Sequence, residues 1–140
     1  SAMIGLMNVL SQEGAKFNIR ANMLAPTAAT RMTQSLLPAD VMDLLQPETI
    51  TPGLLALVSE DAPTKMILGA GAGCFTETRI TETMGVALQG NELSPEGVLA
   101  AMKQIRDPKG ETVMESAFAQ TRKYARMAAQ ARGLTMPWTE

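Results

Sequence analysis

The fold of this chain is decided by residues 19–33, which read Ile19-Arg20-Ala21-Asn22-Met23-Leu24-Ala25-Pro26-Thr27-Ala28-Ala29-Thr30-Arg31-Met32-Thr33. Residues 19–25 form a short, mostly apolar run, which predicts a buried β-strand. Pro26 should end the strand pairing, because proline has no N–H to donate to a neighbouring strand. A turn of small residues and a polar cluster follow. Ligands of α/β proteins bind beyond the carboxyl ends of strands, so we expect this turn to carry ligand-binding groups.

The segment before this strand, residues 2–13, is predicted to be a helix. Its apolar residues recur at helical spacing, and we expect the resulting stripe to be buried. The stripe consists of Met3, Leu6, Met7 and Leu10. Ile4 and Val9 widen the apolar surface, which is typical of a helix covered on more than one side. Either the core of the same chain or a second copy could provide the cover.

The segment after the turn, residues 30–47, is predicted to be a loop with one or two short helices. Two interpretations are open: a mobile amphipathic flap over a ligand, or a pair of ordinary surface helices. A further helix over residues 51–59 is indicated by Thr51 as N-cap and Pro52 as the first helical residue. We expect its buried side to consist of Leu54, Leu55, Leu57 and Val58.

A short strand at 65–69 leads into the run Gly69-Ala70-Gly71-Ala72-Gly73. A phosphate-binding loop is disfavoured, because no helix is predicted after Gly73 and no Gly-Lys-Ser/Thr sequence is present. The glycines instead indicate a close approach of two backbones, for example at a subunit interface. Residues 74–83 alternate in polarity, which predicts an edge strand.

The rest of the chain is predicted to be helical. After a connector at 86–92, Ser94 and Pro95 begin one helix, and a last helix is predicted over 111–132. We expect the last helix to bury Met114, Ala117, Phe118, Thr121, Tyr124, Ala125 and Ala128. Residues 101–132 have a surplus of basic side chains, which indicates either a solvated helix face or a contact with phosphates or an acidic partner.

The composition excludes several classes of function. The chain has 140 residues and a net charge of −2, which predicts one domain and gives no signal for nucleic acid or a membrane. It has no histidine, so no imidazole can act as a base or metal ligand, and we see no metal site. Its single cysteine, Cys74, cannot form an internal disulfide and is interpreted as structural. This usage predicts the cytoplasm or another reducing compartment.

Several stretches resemble the second half of a short-chain dehydrogenase/reductase. The chain is similar to the (3R)-hydroxyacyl-CoA dehydrogenase module of peroxisomal multifunctional enzymes and to bacterial relatives. The similar stretches are Gly5-Leu6-Met7-Asn8, Glu13-Gly14-Ala15-Lys16-Phe17-Asn18-Ile19, Asn22, Ala25-Pro26, Arg31-Met32-Thr33 and Gly71-Ala72-Gly73. The resemblance weakens beyond Asp107, and Thr27 stands where the family usually has glycine.

The resemblance implies an α/β fold: the C-terminal portion of a Rossmann-like doubly wound parallel sheet, with extra C-terminal helices. Residues 1–83 would be the C-terminal part of the Rossmann domain, and residues 84–140 a connector and helical extension. The dinucleotide-binding turn, the catalytic serine and the Tyr-x-x-x-Lys pair would lie upstream, so no catalytic residue is assigned to this chain. Tyr124 does not match the catalytic tyrosine.

The resemblance also implies the site residues. Pro26, Ala28 and Thr30 would bind the nicotinamide of NAD or NADP, and Arg31, Met32 and Thr33 would begin the substrate loop. The complete enzyme would oxidise a secondary alcohol such as a 3-hydroxyacyl-CoA, as a homo-oligomer, while this chain alone is expected to be inactive. The alternative is a non-catalytic fragment that self-associates as part of an assembly.

Overall fold

A three-stranded sheet lies at the centre of the first part of the chain. The computed structural model describes residues 2–33 and 35–135. Strand β1 (Met23–Pro26) pairs in parallel with β2 (Ile67–Gly71), and β2 pairs antiparallel with β3 (Cys74–Thr78). The α/β fold with a parallel strand pair is confirmed, and so is the position of β3 at an edge.

Three helices accompany this sheet. They are α1 (Ala2–Gly14), α2 (Ala39–Leu44) and α3 (Thr51–Leu57), with 3-10 turns at Ala15–Phe17 and Pro47–Thr49. Helices α2 and α3 form the connection between the two parallel strands. Ile67, Leu68 and Ala70 are buried because β2 lies between two neighbouring strands.

Strand β1 is shorter and less buried than predicted. Asn18 adopts a left-handed conformation with φ of 56°, and the N–H of Ile19 donates to the carbonyl of Gly14 at 3.0 Å. Residues 19–22 therefore connect the helix to the strand instead of extending it. Within the described residues β1 has only β2 as a neighbour, so its side chains stay half-buried or exposed. The strand ends at Pro26, as predicted.

Within the chain, only Met7 of the predicted stripe of α1 is buried, so the chain's own core does not cover the rest of the stripe. The buried residues of this helix are Met7, Ser11 and Gly14, whereas Met3, Leu6 and Leu10 are exposed. The chain turns back closely at the end of the helix, where a Cβ on Gly14 would lie 2.9 Å from Cβ of Ile19. The buried hydroxyl of Ser11 donates to the carbonyl of Asn8 at 2.9 Å, so its burial leaves no unpaired hydroxyl.

Helix α3 also differs from its prediction. Ile50 is the N-cap and no side chain caps the helix, so Thr51 is its first residue. Gly53 and Leu57 are buried, whereas Leu54, Leu55 and Val58 are exposed. Gly53 faces the sheet closely, since a Cβ there would meet the ring of Phe75 at 2.6 Å.

The glycine run belongs to the sheet. Its first three residues complete β2, and Ala72 and Gly73, with φ of 52° and 72°, form the two-residue turn to β3. Two left-handed residues in succession are typical of a hairpin turn. Close backbone approach occurs inside the chain at Gly71, while a role at a subunit interface stays a prediction.

Residues 80–140 form a second compact unit, separate from residues 1–79. It contains a two-stranded antiparallel sheet of β4 (Thr81–Glu82) and β5 (Thr112–Val113). Its helices are α4 (Pro95–Ala100), α5 (Met102–Ile105) and α6 (Ala117–Ala131). The predicted cap of α4 is confirmed, because the hydroxyl of Ser94 accepts from the N–H of Gly97 at 3.1 Å.

The last helix begins later than predicted. Gly110 has a φ of 74° and reverses the chain, so the residues that follow it form β5. Ser116 then caps α6 by accepting from the N–H of Ala119 at 3.2 Å. The predicted buried face is wrong, because Phe118 and Tyr124 are exposed.

Within residues 2–33 and 35–135, no helix has the length and apolar character needed to cross a bilayer. The same residues contain no group of three or more potential acidic, cysteine or histidine ligands for a metal ion.

Candidate functional site

The candidate site is the turn that follows β1, residues 27–33. The N–H of Thr27 donates to the carbonyl of Ala70 at 2.8 Å, which attaches the turn to β2. The N–H of Ala29 donates to the carbonyl of Leu45 at 2.7 Å, which attaches it to the end of α2. The turn is therefore held from two sides at the carboxyl ends of the parallel strands, the position expected for a binding crevice.

Thr33 closes the second half of the turn. Its hydroxyl oxygen accepts from the N–H of Thr30 at 2.9 Å, and its N–H donates to the carbonyl of Thr30 at 3.0 Å. The same hydroxyl lies 3.1 Å from that carbonyl, to which it can donate. The polar groups of Thr33 are thus engaged within the turn, and its role as a substrate-loop residue stays a prediction.

Two polar groups of the turn have spare hydrogen-bonding capacity. Among the described residues, the N–H of Ala28 has no acceptor, in contrast to the N–H groups of Thr27, Ala29 and Thr30. The Thr30 side chain is exposed, and its hydroxyl makes a single long contact of 3.4 Å, to the hydroxyl of Thr33. An N–H donor beside a hydroxyl can bind a planar amide, which both accepts and donates hydrogen bonds.

The predicted site residues lie on one continuous segment, formed by the last residue of β1 and the turn that follows it, although they differ in environment. Pro26 ends β1 opposite Ala70, and Ala28 is half-buried. Arg31 is exposed, and Met32 is 86% exposed, on the segment that leads to α2. Their binding roles stay predictions. The residues that hold the turn, Leu45 and Ala70, were not found from the sequence, because nothing local connects them to residues 27–29.

Asn22 joins three backbone segments below the turn. Its amide nitrogen donates to the carbonyl of Pro63 at 2.7 Å and lies 3.4 Å from that of Leu57. Its amide oxygen accepts from the N–H of Met66 at 3.0 Å. Asn22 therefore holds these backbone segments together. It connects the end of α3 to the start of both parallel strands.

A second polar cluster lies in the unit of residues 80–140. The carboxylate of Glu82 on β4 pairs with the ammonium of Lys123 on α6 at 2.6 Å and also accepts from the amide of Gln120. The hydroxyl of Tyr124 lies 3.3 Å from the same carboxylate. Hydrogen bonds from Lys123, and then from Gln120, hold the pKa of Glu82 below its ordinary value. The cluster was missed because its members are far apart in the sequence.

Comparison with known proteins finds no family profile that matches the chain. Peroxisomal multifunctional enzyme A of Dictyostelium discoideum is 35% identical over 105 residues, which cover 74% of this chain and 23% of that enzyme. A protein of Mycobacterium tuberculosis named as a short-chain type dehydrogenase/reductase is 43% identical over 91 residues. Those residues cover 64% of this chain and 29% of the mycobacterial protein.

The fold matches a solved structure over most of the chain. Full-length peroxisomal multifunctional enzyme type 2 of Drosophila melanogaster superposes with a TM-score of 0.78 and 20% sequence identity. The match covers 91% of this chain and 24% of that enzyme. At this identity the likeness establishes the shared fold.

These comparisons correct the predicted location of the protein and show to which proteins the chain is related. The prediction of the cytoplasm is wrong, because several relatives are named peroxisomal enzymes. The chain spans less than a third of the length of the relatives described above. Over that span, it is a homologue of the peroxisomal multifunctional enzymes and of the short-chain dehydrogenases/reductases.

Proposed function

We propose that the chain supplies the nicotinamide-side turn and the substrate loop of an NAD(P)-dependent short-chain dehydrogenase. The observation that carries this proposal is the turn after β1, in which, among the described residues, the N–H of Ala28 has no acceptor and the exposed hydroxyl of Thr30 makes only a long contact. The relationship to short-chain dehydrogenases supports it, since proteins of that type use NAD(P).

The residues of the turn fit a nicotinamide carboxamide. The carbonyl of the carboxamide would accept from Ala28, and its amino group would donate to the hydroxyl of Thr30. Pro26 ends β1 ahead of these groups and keeps the strand from continuing into the site. When bound, the cofactor supplies the hydride chemistry, while the residues of this chain orient the ring.

The substrate proposed for the complete enzyme is a secondary alcohol, namely a 3-hydroxyacyl-CoA. Arg31 and Met32 are exposed on the segment that follows the turn, so one cationic and one flexible apolar side chain are available to a substrate. Tyrosine, lysine and serine residues upstream of this segment would perform the acid–base chemistry. The peroxisomal names of the relatives support the peroxisome as its location.

A second candidate function is non-catalytic self-assembly. The exposed apolar face of α1, formed by Met3, Leu6, Val9 and Leu10, favours it. An exposed face of this kind is typical of a surface that another chain covers. In the dehydrogenase proposal the same face contributes to a homo-oligomer, so the two candidates differ in chemistry and share this surface.

A chimera tests the dehydrogenase proposal. The chain would replace the matching segment of the Dictyostelium enzyme, and reduction of NAD by a 3-hydroxyacyl-CoA would be followed by absorbance. We expect cofactor-dependent turnover well above that of a chimera with a scrambled turn at residues 27–33. A folded chimera without turnover, judged by circular dichroism and gel filtration, would reject the dehydrogenase function and favour self-assembly.

The isolated chain provides a complementary test. We expect the purified 140-residue chain to show no NAD- or NADP-dependent turnover of secondary alcohols, because no dinucleotide-binding glycine turn and no Tyr-x-x-x-Lys pair occur in its sequence. Turnover that copurifies with this chain through two independent purification steps would contradict the assignment of the catalytic groups to another segment.

A further inference from the structure

We propose that Gly71 is a positioning residue for the turn after β1, and that its missing side chain sets the affinity for the nicotinamide cofactor. This inference rests on the proposed function. The glycine run looks at first like a flexible or phosphate-binding segment. Gly71 is nevertheless part of β2 and lies opposite Cys74 across the hairpin. Its φ is not in the left-handed region, so it is needed for space and not for backbone conformation.

The space at Gly71 is occupied by the backbone of the site. A Cβ built on Gly71 would lie 2.9 Å from the carbonyl oxygen of Thr27 and 3.1 Å from Cβ of Thr27. It would also lie 3.7 Å from Cδ2 of Leu45. A flexible side chain can rotate away from such a contact, whereas a backbone carbonyl can move only if the turn moves with it.

The turn has little freedom to accommodate that movement. The N–H groups of Thr27 and Ala29 donate to the carbonyls of Ala70 and Leu45, at 2.8 and 2.7 Å, and fix the turn on both sides of the Thr27 carbonyl. A methyl group at position 71 must therefore displace the turn or break one of these bonds. Ala28 and Thr30 follow directly, so the displacement reaches the two groups that would hold the carboxamide.

Gly69 provides a matched control in the same strand. A Cβ there would approach Oγ1 of Thr76 to 2.6 Å, while its nearest backbone contact is 3.6 Å away, at the carbonyl of Thr76. Rotation of the Thr76 side chain relieves most of that contact. The same substitution can therefore be made at two positions of one strand. At Gly69 the added methyl group meets a side chain that can rotate, and at Gly71 it meets the backbone of the turn.

The first experiment measures cofactor kinetics in the active chimera. Gly71→Ala should raise the KM for NAD by roughly three- to tenfold, the range expected from the loss or distortion of one hydrogen bond, with a smaller effect on kcat. Gly69→Ala should leave the KM for NAD unchanged. Adding Thr27→Gly to Gly71→Ala removes the contact between the two Cβ atoms. The KM for NAD should then fall part of the way back to the wild-type value. If Gly71 had a purely structural role, Gly71→Ala would lower the stability and yield of the protein but would not raise the KM for NAD more than it changes kcat.

Two outcomes would overturn the inference: an unchanged KM in folded Gly71→Ala, or equal changes in the Gly69 and Gly71 variants. If Gly71→Ala does not fold, Thr27→Gly with Gly71→Ala removes the contact between the two Cβ atoms and keeps the contact of the new methyl group with the carbonyl of Thr27. It should still raise the KM for NAD relative to Thr27→Gly alone, and an unchanged KM in this comparison would also reject the idea.

A second experiment does not depend on activity, so it separates this inference from the proposed function. In the isotope-labelled 140-residue chain, Gly71→Ala should shift the amide resonances of Ala28 and Thr30, and Gly69→Ala should not. If the wild-type chimera is inactive while these shifts occur, the dehydrogenase function fails and the positioning of the turn by Gly71 stands. If the resonances stay in place, Gly71 does not position the turn.

Discussion

Two threonines in one turn have different tasks. The hydroxyl of Thr33 is engaged with the backbone of Thr30, so it stabilises the turn. The hydroxyl of Thr30 is exposed and makes only a long contact to Thr33, so it can reach a ligand. Both residues are threonines in the same short segment, so the sequence does not tell them apart. The hydrogen bonds of the folded chain do.

Replacing Thr30 with valine tests its role at the residue scale. In the active chimera, Thr30→Val should raise the KM for the cofactor with the fold intact, because one neutral hydrogen bond is worth about 0.5–1.5 kcal/mol. Steady-state kinetics with varied NAD would measure it. Thr78→Val is the control, since Thr78 is exposed at the end of β3 remote in register from the turn. A KM and kcat that both match wild type would assign the hydrogen bond to another residue.

Asn22 allows a stability prediction at the same scale. Asn22→Ala removes the partners of the Pro63 carbonyl and of the Met66 N–H, and it should destabilise the unit by about 1–3 kcal/mol. Hydrogen exchange should show loss of protection at the Met66 amide. Asn91→Ala, at an exposed position, serves as the control. Retained protection of Met66 together with an unchanged denaturation midpoint would mean that water replaces Asn22 without cost.

At the scale of elements, β4 and α6 are joined by side chains. Lys123 donates both to the carboxylate of Glu82 and to the carbonyl of Thr83, so one ammonium connects α6 to the strand and to the residue after it. The side chains of Lys123 and Glu82 are only 14% and 24% exposed. A partly covered pair is screened less by solvent than a pair on the open surface.

This connection should depend on pH. The pKa of Glu82 is lowered in the folded chain, chiefly by the hydrogen bond from Lys123. Its contribution to stability is therefore fully present above the ordinary glutamate pKa of about 4.3, and it is lost as the pH falls through the lowered folded value. Denaturation series at several pH values should show the unit of residues 80–140 weakening in that acidic window.

Glu82→Gln should remove this part of the pH dependence, because the amide does not titrate. Glu111→Gln, at an exposed glutamate, should leave the acidic loss of stability as in the wild type. Identical pH profiles for the wild type and Glu82→Gln would show that the pair does not contribute.

At the scale of the whole molecule, α1 leaves an apolar face exposed within the chain. Met3 is 59% exposed, Leu6 51% and Leu10 48%, although all three recur at the spacing of a buried stripe. Burial of apolar surface contributes about 25 cal/mol per Å² before the entropy of association is subtracted. A second copy of the chain is the proposed cover.

Charged substitutions test that proposal. We expect the wild-type chain to sediment as a dimer or higher oligomer, and Leu6→Glu with Leu10→Glu to dissociate or unfold it. Leu93→Glu, at an exposed leucine in the other unit, should leave the oligomer intact. A compact, folded wild-type monomer at high micromolar concentration would contradict self-association.

The sequence by itself determined the local features of this protein. Ser94 followed by Pro95 marks a helix start, and the alternation after Gly73 marks an edge strand. Each of these signals depends on neighbouring residues, whose conformational preferences act without the rest of the chain.

Only the tertiary structure decided which apolar residues are covered and which distant groups meet. A periodic stripe shows that a helix has an apolar face, but burial depends on the element that packs there, and α1 packs through Met7, Ser11 and Gly14. The contact of Gly71 with Thr27 and the pairing of Glu82 with Lys123 join residues about 40 positions apart. No local preference encodes such contacts, because chain topology brings the partners together.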